Sequence, residues 1–62
     1  MHTFKKGDVV MIVSPLGSIV RDHGKLGVVK IRVVHDWFPY DVDEGDAIWF
    51  RDADELHYIG RL

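Results

Sequence analysis

The run Leu26-Gly27-Val28-Val29-Lys30-Ile31-Arg32-Val33-Val34 alternates with a period of two. On an extended backbone Val29, Ile31 and Val33 fall on one side, and Val28, Lys30 and Arg32 on the other. β-Branched side chains at this density lose rotamer freedom in a helix and pack well on a pleated surface, so the run is expected to be a strand. The same constraint recurs along the chain. Residues 9–13 are apolar and mostly β-branched. Tyr40 and Val42 alternate with Asp41 and Asp43. Residues 47–51 put Ile48 and Phe50 on one side, expected to face the core, and Trp49 and Arg51 on the other. Nowhere do apolar residues recur at i, i+3, i+4 and i+7 over a useful length, which argues against a helical bundle.

The punctuation between these runs fits short strands. Gly7-Asp8 signals a turn before the first strand, and Asp43-Glu44-Gly45-Asp46 signals a hairpin turn in which Gly45 supplies the positive φ. Residues 52–56 read as one short helical turn, with Asp52 at the N-cap and Glu55 at the capping-box position. Residues 57–59 make a last short strand, ended by Gly60. Between the first two strands lies a long loop, residues 14–25, suited to serve either as a binding loop or as a cap on the end of the fold. Five strands with no helix to cover a sheet protect their faces best by curling into a small barrel.

Size and composition narrow this further. The chain has 62 residues, 47% of them hydrophobic, and no cysteine. One small core in a single domain spanning residues 1–62 is therefore expected. The apolar content is too high for disorder. Without cysteine there is no disulfide framework, which favours a reducing cytoplasm over secretion. The longest uncharged run, residues 9–20, is 12 residues and is broken by Pro15 and Gly17, well short of the roughly 20 needed to span a membrane. The first six residues lead into Gly7-Asp8 and not into a long apolar stretch, so neither a leader nor a membrane partner is expected.

Two segments carry a family resemblance. Phe4-Lys5-Lys6-Gly7-Asp8-Val9-Val10-Met11-Ile12-Val13, followed by His23-Gly24-Lys25-Leu26-Gly27-Val28-Val29-Lys30-Ile31, resembles the KOW-type SH3-like barrel. That motif runs lysine-glycine-aspartate, an alternating strand, a glycine-bearing loop, then glycine-lysine-x-glycine-x-valine. Gly24 and Gly27 would free the backbone for a tight reversal, and Val10, Ile12, Val29 and Ile31 would form the first core layer. The tail from Trp49 to Ile59 is similar to the end of many small SH3-like barrels, where a strand, a 3₁₀ turn and a last strand follow in order. The resemblance implies an all-β, five-stranded SH3-like barrel with one short 3₁₀ turn before the last strand. It departs from the pattern in the insertion of residues 15–22, in the loop from which nucleic-acid contacts would come. Compact phage and prophage proteins are similar in style.

The formal net charge of −2 conceals a split. Residues 1–34 hold six cations against two carboxylates, a net +4, and residues 35–62 hold two against eight, a net −6. In the KOW resemblance, nucleic-acid contacts would fall to Lys5, Lys6, Arg21, Lys25, Lys30 and Arg32, as phosphate-directed and salt-sensitive contacts. The acidic second half opposes that reading. A protein partner has its own candidates in Trp37, Phe38, Trp49 and Tyr58, large amphipathic rings beside acidic turns.

Catalysis and cofactors find little support. His2, His23, His35 and His57 are separated by 21, 12 and 22 residues, none of them a metal-ligand spacing. Ser14 and Ser18 lack a nucleophile-elbow pattern. The expectation is a non-enzymatic binding module without metal or cofactor, acting on another protein as an adaptor or inhibitor. The alternatives are a KOW-like RNA- or DNA-binding domain, and a homo-oligomeric structural subunit paired through an exposed edge strand.

Overall fold

The computed structural model of the chain describes residues 4–32 and 40–62, and the side chains of all of these except 31 and 32. It is all-β. Strands β1 (Asp8–Ile12), β2 (Leu26–Arg32), β3 (Tyr40–Asp43), β4 (Ile48–Arg51) and β5 (Leu56–Arg61) form one antiparallel sheet in the order β4-β3-β2-β1-β5. A 3₁₀ turn, Ala53–Glu55, separates β4 from β5. Over the described residues the expected strands are found to within two residues, β5 running through Gly60 to Arg61; residues 33 and 34, expected to continue β2, lie outside the described residues. Among the described residues no ladder joins β4 to β5, so the sheet has two edges.

Alternation within the strands decides the core. Val10, Ile12, Val29 and Val42 have no exposed surface, and Phe4, Tyr40 and Leu56 join them in one cluster against which Val20 and Ala53 pack. Phe4 meets Tyr40 edge-to-face with ring centroids 5.3 Å apart, and the Phe4 N–H donates to the Tyr40 hydroxyl at 3.2 Å. The segment before β1 is thereby tied to β3.

Gly24 has φ +89°, as a reversal into β2 requires, but Gly27 has no such angle. Its constraint is close packing. A Cβ there would lie 2.5 Å from Val42 Cγ1 and 3.1 Å from the Asp43 carbonyl oxygen. Gly27 sits opposite Val10, and the missing side chain lets Val42 close the core over β2.

The β3–β4 hairpin corrects the expected facing of β4. Gly45, at φ +92°, lies in a two-residue turn closed by the Glu44 N–H donating to the Ala47 carbonyl at 3.0 Å. That turn sets Val42 opposite Trp49 and Tyr40 opposite Arg51. Residues directly opposite share a face, so Trp49 and Arg51 lie on the core side. Ile48 and Phe50 lie on the outer side, with Asp43 and Asp41. Both are exposed, at 58% and 61%.

Candidate functional site

β4 ends in a buried charge centre. Arg51 is 7% exposed. Its Nε donates to Glu44 Oε2 at 2.8 Å and its Nη2 to Glu44 Oε1 at 3.0 Å, a bidentate pair. The same guanidinium reaches Asp22 Oδ2 at 3.0 Å and Glu55 Oε2 at 3.5 Å. The Glu44 side chain has no exposed surface. One cation thus holds carboxylates from the β3–β4 turn, the long loop and the 3₁₀ turn. The hydrogen bonds that Arg51 donates to Glu44, reinforced by the charges of Glu44, Glu55 and Asp22, raise the Arg51 pKa above its ordinary value. Glu55 also accepts from the Asp52 N–H at 2.9 Å, the contact expected of a capping-box glutamate.

Arg51 also lies over the Trp49 ring, its Cζ 5.5 Å from the centroid. Trp49 therefore faces the core side, not away from it, yet remains 37% exposed because β4 is an edge strand. Beside it Ile48 presents its side chain on the outer face. Asp46, Asp52 and Asp54 are exposed around this end of the sheet. The outer face continues through Asp43, Val28 and Val9, which lie opposite one another across β3, β2 and β1. An open concavity of about 300 Å3 there is lined by Val9, Leu26, Val28 and Asp43 together with the β3–β4 turn at Glu44 and Gly45.

The other expected partner-binding rings are dispersed. Tyr58 is 52% exposed and lies on β5, at the opposite end of the strand order from Trp49. Trp37 and Phe38 lie outside the described residues.

The six expected nucleic-acid cations do not form one set. Lys5 and Lys6 are exposed before β1. Beside them Arg61, which the motif reading passed over, donates to the Lys6 carbonyl at 3.3 Å. Lys30 follows Val29, whose carbonyl accepts from the Gly7 N–H at 2.8 Å, so it enters the sheet at the same end; its Nζ is 3.9 Å from Asp43. Arg21 and Lys25 belong to the far end. Lys25 bonds Asp46 at 2.9 Å. That hydrogen bond raises the lysine pKa and lowers the carboxyl pKa from their ordinary values. The Arg32 side chain lies outside those described.

The long loop proves to be two things. Its base folds back: Val20 packs on the core, Asp22 reaches Arg51, and the Gly24 N–H donates to the Ile12 carbonyl at 2.7 Å. The Ser14 N–H donates to His23 Nδ1 at 2.9 Å, and the Val20 N–H to Ser14 Oγ at 2.9 Å. Its tip, a turn closed by the Ser18 N–H on the Pro15 carbonyl, leaves Leu16 and Ile19 fully exposed. Among the described residues no three histidine or carboxylate groups converge in a way that could hold a metal ion, and no helix is long and apolar enough to cross a membrane.

Compared with family models, curated proteins and solved structures, the chain matches none, so its function is read from its own geometry.

Proposed function

We propose that the chain is a non-enzymatic protein-binding module of SH3-like barrel type, whose binding surface is built on β4. The observation that carries this reading is the exposure of Ile48 and Trp49 at a sheet edge, directly beside a buried arginine–carboxylate centre. An edge strand with large side chains on both faces suits docking of an extended segment. Trp49, held in place by the Arg51 guanidinium, offers a rigid ring of the kind that dominates interface energetics. The exposed Asp46, Asp52 and Asp54 favour a partner segment with lysine or arginine. The barrel reading is supported by four side chains without exposed surface in a sheet that no helix covers among the described residues, and by the Arg51 contacts that tie the end of β4 to the turn preceding β5.

The test is cross-linking recovery of a partner by the wild-type chain and by Ile48→Lys, Trp49→Ala and Lys30→Ala. A partner held by wild type and Lys30→Ala but lost with the two β4 variants, all four giving the same circular dichroism, is the expected result. Retention by both β4 variants would overturn the assignment.

The grouping of Lys5, Lys6 and Arg61 at one end of the sheet favours a second reading, phosphate-directed nucleic-acid binding. Under that reading, oligonucleotide anisotropy falls steeply with added salt and is abolished in Lys5→Glu/Lys6→Glu. Absence of any binding at low salt removes it.

A further inference from the structure

The second edge of the sheet has a feature that the β4 reading does not use. Among the described residues β5 pairs with β1 alone. The phase of that ladder is set at its ends, where the Val13 N–H donates to the Glu55 carbonyl at 2.8 Å and the Leu62 N–H to the Gly7 carbonyl at 3.2 Å. In an antiparallel pair, hydrogen-bonded and non-hydrogen-bonded residues alternate. His57 therefore bonds toward β1, and Tyr58 turns its N–H and C=O outward. Beyond the bulge around Ile59, the same alternation turns those of Arg61 outward. The Leu56 N–H is already taken by the Ala53 carbonyl. Tyr58 and Ile59 are 52% and 51% exposed. An edge of this kind is a template for another strand, and proteins usually blunt such edges with charge.

The charge here is placed at the strand's ends. Before β5 stand Asp52, Asp54 and Glu55; at its far end stand Arg61 and the adjoining Lys5 and Lys6. Of the carboxylates, Asp52 and Asp54 are exposed, while Glu55 is shared with Arg51. Asp8, beside the basic end, is buried and accepts from the Lys5 N–H at 2.8 Å. An antiparallel strand reverses direction, so a second β5 laid along the first sets each acidic end against the other copy's basic end. A partner of uniform charge would satisfy only one end.

We propose that β5 is a self-association edge, at which two copies of this chain pair antiparallel about a two-fold axis near Tyr58. The Tyr58 N–H and C=O of each copy bond those of the other, and Arg61 of each copy meets the acidic turn of the other. The contact is isologous, so it closes at a dimer. It is independent of the β4 reading, because it occupies the opposite edge.

Sedimentation equilibrium from micromolar to millimolar chain tests this, together with hydrogen exchange at the Tyr58 amide. The expected result is a monomer–dimer equilibrium weakened by salt, with exchange at Tyr58 slowing as dimer forms. Arg61→Glu and Asp54→Lys each raise the dissociation constant by about tenfold or more, and the double variant recovers most of the loss. Circular dichroism on each variant confirms that these exposed substitutions leave the fold intact. A chain that stays monomeric throughout leaves the edge to a different partner and overturns the proposal. So does a dimer that survives both single reversals, or a double variant that fails to recover.

Discussion

Arg51 is the residue on which most depends. Its removal leaves the Glu44 carboxylate, with no exposed surface, without its bidentate partner. Arg51→Leu is expected to lose about 3–5 kcal/mol in urea unfolding, against a total stability of roughly 3–9 kcal/mol for a domain of this size. The variant should therefore keep only part of its stability and unfold at a much lower urea concentration. Replacing both members, Arg51→Leu with Glu44→Leu, should recover much of the loss, because the desolvated charge goes with its partner. Gly27 makes the opposite kind of demand. Gly27→Ala pushes a methyl against Val42 Cγ1 and is expected to cost about 1–3 kcal/mol by overpacking. The Lys25–Asp46 pair is exposed and contributes little to stability, but it leaves a titration signature. Asp46 has its folded pKa depressed by the hydrogen bond from Lys25. The pair's contribution is thus present above the unfolded carboxyl pKa and is lost as pH falls through the lower folded value. NMR titration should find Asp46 below its ordinary value in wild type and restored in Lys25→Met.

At the scale of elements, β4 and the long loop show why facing is harder to read than strand content. Apolar alternation in residues 47–51 favours Ile48 and Phe50 as the buried pair, yet the hairpin register buries Arg51 instead. The deciding signal is the two-residue turn at Gly45-Asp46. Once Val42 is inward, that turn forces residue 49 to share its face, since a one-residue slip flips every side chain. The loop separates in the same way. Val20→Ala should destabilise, because Val20 packs on the core cluster. Leu16→Ser and Ile19→Ser, at fully exposed sites, should change the unfolding midpoint within the small range typical of surface substitutions. Asp22→Asn removes one carboxylate from Arg51 and should speed hydrogen exchange in residues 18–25 more than in β1. His23 reports on the loop base. Its Nδ1 accepts the Ser14 N–H, so the ring proton resides on Nε2, and imidazole 15N shifts should show that tautomer.

Over the whole molecule, charge separates by tertiary placement and not by sequence half. The described cations of residues 1–34 are divided between the two ends of the sheet, and two of them, Lys25 and Lys30, are paired with Asp46 and Asp43 from the second half. Arg51, from the acidic half, draws Asp22 out of the basic one. The apparent bipolarity of the chain becomes an acidic rim near β4 and the 3₁₀ turn, and a basic end at Lys5, Lys6 and Arg61. Fold class was legible because strand propensity, period-two alternation and turn chemistry are local. Most of the core was legible for the same reason, with Val10, Ile12, Val29, Tyr40 and Val42 all buried.

The amino-acid sequence alone determined the five strands found among the described residues, with a 3₁₀ turn before the last, and that Val10, Ile12, Val29, Tyr40 and Val42 turn toward the core. Tertiary structure decided which face of β4 is buried, that Arg51 gathers three carboxylates from three segments, and which expected contacts stand apart. The physical reason is range. Alternation and glycine turns act between neighbours in the chain, whereas a buried ion pair or a sheet edge exists only once distant segments are brought together.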